Sequence, residues 1–247
     1  MISLSGRTCV IAGGTGNIGY GAVRELAAGG MNVVMVTHDM DKAKGICEEL
    51  KDLTGKVIAL GNDDGDDKVF DAVREKFGSV DVVISNTGAM DCLVALGTLT
   101  REKLNEKLAH QVTEPFMMIQ AAIPHLKDSR AGRIILTSTA GALNGFEGES
   151  LTDSIGRGGV VSMTYCLAKI LMNTGITVNC IAKSGMINDH TPMTGRDLDM
   201  SSVVTHIPMG TLGTSEEFGA LVSYIASEES AFVTGQIFNL SGGLNIG

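Results

Sequence analysis

The chain has 247 residues, 44% apolar and 19% charged, enough to bury a large core, and no break in composition marks a linker. Its formal net charge of -9, without a local Lys/Arg cluster, argues against a nucleic-acid partner. No run approaches the roughly 18 apolar residues of a membrane span, and the polar start Met1 to Thr8 lacks a leader's apolar stretch, so a cytoplasmic protein with no membrane partner is expected.

The first β-branched run, Thr8–Ala12, reads as a strand and leads straight into Gly13-Gly14-Thr15-Gly16-Asn17-Ile18-Gly19, followed by a helical pattern over Tyr20–Ala28. Gly14-x-Gly16-x-x-Gly19 therefore sits at a strand-to-helix turn. Glycine suits a phosphate loop because side chains would keep the backbone from a pyrophosphate, while the helix start offers free N–H donors and a positive dipole end. Gly13, Gly14, Thr15, Gly16, Asn17, Ile18 and Gly19 are thus candidate nucleotide-binding residues. The bland alternative is a glycine-rich turn without a ligand.

The second strand is read over Asn32–Thr37. In a dinucleotide fold its end carries an acid for the ribose 2′-hydroxyl of NAD. Here Thr37 stands at that position and His38 follows, with Asp39 one or two places late, which favours NADP(H) over NAD(H). His38 can also be read as a solvated loop residue.

Further strands are read at Lys56–Leu60, Val80–Ser85, Arg133–Ser138, Thr177–Ala182 and Gln236–Leu240, each a nearly continuous apolar run separated from the next by a helical pattern. Seven such strands predict an α/β fold with a parallel, doubly wound sheet flanked by helices, and a ligand site beyond the carboxyl ends of the strands next to the first one. The five cysteines, Cys9, Cys47, Cys92, Cys166 and Cys180, form no C-x-x-C and no Cys/His pair at metal spacing, so reduced thiols and no metal site are expected.

The order of motifs resembles the short-chain dehydrogenase/reductase family along the entire chain. Leu4-Ser5-Gly6-Arg7 opens it, the glycine loop follows, and Ser85-Asn86-Thr87-Gly88 resembles that family's N-N-A-G. Phe116 to His125, Gly132 to Ser138 and Gly175 to Cys180 resemble its fourth helix, fifth strand and sixth strand, and Ile207 to Gly243 its closing segment. The resemblance implies one Rossmann-type domain over 1–247, a cofactor site that includes Asn86, Gly88 and Lys183, a small-molecule substrate, and a homodimer or homotetramer built on the long helices.

The family's proton relay is a Tyr-x-x-x-Lys pair, a Ser from the preceding strand and an Asn from the fourth helix. Ser138 matches the serine position. Tyr165-Cys166-Leu167-Ala168-Lys169 fits Tyr-x-x-x-Lys as a string, but a helix starting there would have only about ten residues, or 15 Å, to cross the sheet before Gly175. In the register that matches the family's helix length, Asp153 takes the tyrosine position, Arg157 the lysine position and Gln111 the asparagine position, while Tyr165 and Lys169 read as helix surface.

An aspartate is a poor substitute for a phenol, whose pKa of about 10 can be drawn towards neutrality by a lysine. Ser150-Leu151-Thr152-Asp153 also reads as a capping box, which would hold the carboxylate ionised at the helix start. Arg157 keeps the positive charge but cannot relay a proton. Lys183 and His190 are alternative proton carriers, and Glu149 a further acid.

Three functions stay open: an NADP(H)-linked reductase acting on a small carbonyl, alcohol or activated alkene, with Ser138 and Gln111 holding oxygen; a non-redox elimination or isomerisation enzyme; and a nucleotide-binding subunit without turnover. The segment Lys183–Val204 would set the substrate, and it carries no recognisable ligand motif.

Overall fold

The computed structural model describes residues 2, 4–63, 65–88, 96–145, 150–187 and 204–246. His190, Glu149, Cys92 and most of Lys183–Val204 lie outside the described residues.

The elements follow in chain order as β1 (Thr8–Ala12), α1 (Gly19–Ala28), β2 (Asn32–Val36), α2 (Met40–Glu49), β3 (Val57–Leu60), α3 (Asp66–Phe77) and β4 (Val82–Ser85). Then come α4 (Arg101–Leu108), a π-helical turn (Ala109–Thr113), α5 (Glu114–Lys127), β5 (Arg133–Thr139), α6 (Gly141–Asn144) and α7 (Leu151–Leu171). The chain closes with β6 (Thr177–Lys183), β7 (Met186–Ile187), β8 (Gly213–Thr214), α8 (Ser215–Ala226) and β9 (Ile237–Leu240).

Seven strands form one parallel sheet in the order β3-β2-β1-β4-β5-β6-β9, so strand order reverses between β1 and β4. All seven are the strands expected from the apolar runs. Their ends differ by a residue or two: β2 stops at Val36, which leaves Thr37 in the loop, and β6 runs on to include Lys183, which is a strand residue and not a loop residue beyond it. The two-residue ladder β7–β8 was not expected, being too short to carry a period.

Alternate strand residues feed two cores. Cys9, Ile11, Val33, Met35, Val82 and Ile84 pack under α1, α2 and α8, whereas Val10, Val34, Val83, Ile134, Leu136 and Val178 pack under α3, α5 and α7. This two-sided burial is why the strands read as unbroken apolar runs.

On the first face α1 crosses α8 with backbones almost touching. A Cβ added at Gly21 would lie 2.0 Å from the Ser215 carbonyl oxygen, and one at Gly219 would lie 2.5 Å from that of Gly21. The crossing fixes α1, and with it the turn that leads from β1.

At the opposite end of the sheet two buried arginines close off irregular backbone. Arg7 donates to the carbonyls of Ala226 and Ala131, and Arg133 to those of Ser227 and Gly132, the last two at 3.0 Å each. Burial lowers both guanidinium pKa values, Arg133 to about 10, yet both groups stay charged at neutral pH.

Candidate functional site

The carboxyl ends of β1 and β4 lie side by side at the reversal of strand order, the place where open α/β sheets bind ligands. The glycine loop spans this point. Gly13 adopts φ +79°, and a Cβ there would lie 2.2 Å from the Asn86 carbonyl oxygen; one on Gly19 would lie 2.0 Å from that of Gly13. Glycine at these positions lets the β1 turn, the β4 turn and the start of α1 nest together. Asn86 secures the nest by donating its amide to the Gly13 carbonyl at 3.3 Å.

Ile18, the residue before α1, offers no side-chain cap, and in the first turn Tyr20 N donates to the Gly16 carbonyl and Gly21 N to that of Ile18, each at 3.1 Å. Gly13, Thr15, Gly16, Asn17 and Ile18 are all partly exposed, which leaves the loop reachable from solvent. The Thr15 and Thr37 hydroxyls stand 3.5 Å apart at the ends of β1 and β2. His38 is exposed and its Nδ1 lies 3.8 Å from an Asp63 carboxylate oxygen. Asp39 points elsewhere: its carboxylate caps α2 by accepting from Lys42 N at 3.0 Å. A glycine loop, two hydroxyls and a histidine thus line the β1–β2 side, groups that could hold the phosphates and ribose of a nucleotide.

Across the β4–β5 side the picture is different. Gln111, Ser138, Asp153 and Arg157 come together as one buried cluster; Gln111 and Ser138 are 0% exposed, Asp153 1% and Arg157 3%. The Ser138 hydroxyl donates to the main-chain carbonyl of Arg157 at 3.0 Å. The Arg157 guanidinium donates to the carbonyls of Thr137 at 3.0 Å, Thr87 at 2.7 Å and Gly88 at 2.6 Å. One side chain of α7 therefore ties together the ends of β4 and β5.

Gln111 sits in the π-helical turn that joins α4 to α5; such turns are frequent at functional sites because they re-aim one side chain. Its amide nitrogen donates to an Asp153 carboxylate oxygen, and Lys107 approaches the same oxygen at 3.7 Å. Its carbonyl oxygen is buried without a hydrogen-bond partner, pressed against Gly156, where a Cβ would lie only 2.1 Å away.

Lys107, Thr87 and Gly156 were not expected in the cluster. The first was legible as lying one turn before Gln111, but the other two act through backbone, which side-chain chemistry does not advertise. The capping box expected at Ser150 is absent: the Ser150 hydroxyl pairs with that of Thr152 at 2.7 Å and caps nothing, and Asp153 turns inward to Gln111 and Lys107. Tyr165 lies farther along α7, 48% exposed, on the surface as expected.

A polar recess of about 350 Å³ opens beside the cluster, lined by Gly88, Lys103, Glu106, Lys107, His110 and Gln111 together with Glu114. Among the described residues no group of histidine, cysteine and carboxylate side chains could hold a metal ion. No described helix is long and apolar enough to cross a membrane.

A family model described as Enoyl-(Acyl carrier protein) reductase matches residues 13–245. The chain is 28% identical over 245 residues to the 3-oxoacyl-(acyl-carrier-protein) reductase FabG of Rickettsia bellii, covering 99% of both proteins. It is also 28% identical to the (2S)-[(R)-hydroxy(phenyl)methyl]succinyl-CoA dehydrogenase subunit BbsD of Thauera aromatica, over 99% of each. Among solved structures, a short-chain dehydrogenase/reductase from Serratia marcescens superposes with a TM-score of 0.88 at 25% identity, covering 99% of this chain and 100% of that one.

Proposed function

The chain belongs to the short-chain dehydrogenase/reductase family, and from that premise we propose that it is an atypical oxidoreductase of one Rossmann-type domain over 1–247, binding NADP(H) in preference to NAD(H). The observation that carries this reading is the glycine loop at the β1–β4 reversal, partly exposed, with Asn86 bracing it and Thr37 and His38, not an acid, at the end of β2. A dinucleotide of this kind supplies a hydride when bound. The residues that would hold it are Gly13 to Gly19, Thr37, His38, Asn86 and Gly88, with Lys183 at the end of β6.

The substrate class is a small carbonyl, alcohol or activated alkene. The two relatives are named for a 3-oxoacyl group on a carrier protein and a succinyl-CoA, which supports acyl thioesters as the first panel to try. In this reading Gln111, Asp153 and Arg157 stand where the family has asparagine, tyrosine and lysine. Ser138 and Gln111 hold oxygen, and the proton comes from a group other than a phenol. An assembly of two or four copies packed through the long helices and a cytoplasmic setting complete the reading.

A second reading, a nucleotide-binding subunit without turnover, is favoured by the inward bonding of two members of the cluster: the Ser138 hydroxyl and three Arg157 contacts go to backbone carbonyls. The test is calorimetric titration with NADPH and NADH, followed by a thioester and carbonyl screen on the native chain and on an Asp153→Tyr, Arg157→Lys double variant. NADPH binding with turnover by the native chain supports the oxidoreductase. NADPH binding with turnover only in the double variant supports the silent subunit, and binding of neither cofactor removes both.

A further inference from the structure

We propose that the adenosine half of the dinucleotide carries its affinity for this protein, the half-site for the nicotinamide nucleotide being held shut by Arg157. The inference rests on the second reading above, nucleotide binding without turnover, since a shut nicotinamide half-site delivers no hydride, and it concerns which part of the ligand is recognised.

A doubly wound sheet is two mononucleotide-binding halves meeting at the reversal of strand order, so a dinucleotide lays one nucleotide over β1–β2 and the other over β4–β5. The first half is accessible: Thr15, Gly16 and Thr37 are partly exposed and His38 is exposed. The second half is occupied by protein. The Arg157 guanidinium lies across the mouth of β4 and β5, bound to the carbonyls of Thr87, Gly88 and Thr137, and the residue is buried, 3% exposed.

The loop after β4 rests directly on this group. A Cβ at Gly88 would lie 3.1 Å from Arg157 Nη2 and 3.0 Å from Gln111 Cγ, which leaves no gap between the loop, the guanidinium and the amide side chain. Ser138 and Asp153 are turned to protein partners as well. A ribose seeking hydroxyl contacts there would have to pull the guanidinium off three carbonyls, and each buried carbonyl left unpaired costs as much as the new bond returns. A flexible ammonium with free donors would have offered an anchor. Both Nη groups of this guanidinium are already committed to backbone carbonyls.

The experiment is calorimetry on the full chain with three ligands: NADPH, 2′-phospho-ADP-ribose, which is the same molecule without nicotinamide, and nicotinamide mononucleotide; NADH and ADP-ribose are run in parallel. The expected result is that NADPH and 2′-phospho-ADP-ribose bind within about threefold of each other and nicotinamide mononucleotide does not bind at millimolar concentration. NADPH binding about thirtyfold or more tighter than its fragment overturns the inference and leaves the nucleotide reading standing. No binding by any of the adenine ligands overturns both.

An Arg157→Lys variant supplies the second measurement. Lysine is shorter and has one nitrogen in place of the two that span Thr137 on one side and Thr87 and Gly88 on the other, so the half-site opens and NADPH gains about tenfold over its fragment while the fragment's own affinity holds. An unchanged ratio in the folded variant means that Arg157 is not the closure, and the inference fails.

Discussion

Ser138 and Arg157 bind each other's neighbourhoods in both directions: the Ser138 hydroxyl donates to the Arg157 carbonyl at 3.0 Å, and the Arg157 guanidinium donates back to the Thr137 carbonyl at 3.0 Å. Strand β5 and helix α7 are thereby stitched twice within one turn. Ser138→Ala removes one neutral bond and is expected to cost about 1 kcal/mol with nucleotide affinity unchanged. Arg157→Met strands three carbonyls and is expected to cost about 3–5 kcal/mol. Denaturant midpoints at constant slope check both. A Ser138→Ala protein of native stability that loses turnover on an identified substrate would instead place the hydroxyl on that substrate.

Helix α7 contains two glycines whose replacement by alanine should have opposite signs. Alanine is the better helix former by about 1 kcal/mol, and Gly158 has open space where a Cβ would go, so Gly158→Ala is expected to raise stability by up to that amount. At Gly156 the Cβ would meet the buried Gln111 side chain at 2.1 Å, which forces the amide off Asp153. Gly156→Ala is expected to lose about 2 kcal/mol, overpacking outweighing propensity. Equal and positive shifts in melting temperature for the two variants would show that the Gln111 contact is loose.

These glycines also show where the sequence was readable. The seven strands were legible because two-sided burial writes itself as unbroken apolar runs, and the place of the glycine loop because its spacing falls on a strand-to-helix turn. Asp153 and Arg157 were singled out by helix length, Gln111 by counting back from Phe116, and Ser138 by the resemblance at the end of the fifth strand. What they bind was not legible. Arg157 reaches backbone carbonyls, which every residue owns, and Asp153 exchanges a predicted helix cap for Gln111 and Lys107 because α4 happens to pass there. Ladder β7–β8 and the α1–α8 crossing at Gly21 are likewise tertiary facts without a local period.

Tyr20 gives the protein a handle on alkaline pH. Burial, reinforced by the hydrogen bond to Glu49 at 2.5 Å and the charge of that carboxylate, pushes its phenol up to about 12. Unfolding releases it to about 10, so the unfolded chain loses its proton first. The stabilisation is therefore complete below pH 10 and lost as pH rises from 10 to 12. Tyr20→Phe is expected to flatten the fall in melting temperature over that window relative to the native chain. Parallel curves for the two proteins would disprove the coupling.

The cysteines should react in an order set by burial. Cys9 and Cys180 are buried, and desolvation pushes both thiols up, Cys180 to about 12. Cys47 is partly buried and also raised, while Cys166 is exposed on α7. Brief alkylation at pH 8 followed by peptide mass spectrometry is expected, among the four described cysteines, to label Cys166 first, Cys47 slowly, and Cys9 and Cys180 only when denaturant is present. Early labelling of Cys180 would mean that the β6 end of the sheet opens in the native protein.

The Lys107–Asp153 pair separates a structural cluster from an adjustable one. Asp153 is 1% exposed and Lys107 14%, so their contact at 3.7 Å is only lightly screened by water, and Gln111 binds the same carboxylate oxygen. Removing the lysine alone leaves a buried carboxylate short of a counter-charge, whereas removing both charges leaves a neutral amide beside a thioether. A double-mutant cycle of Lys107→Met and Asp153→Asn is therefore expected to give a coupling energy of about 1–3 kcal/mol, with the double variant more stable than Lys107→Met alone. Additive losses would mean that the carboxylate draws its stability from Gln111 and not from the lysine. Because Lys107 also lines the recess beside Gly88, the same variants titrated with NADPH report whether this pair holds the wall of the site: unchanged affinity in both singles fixes its role as support for α4 against α7.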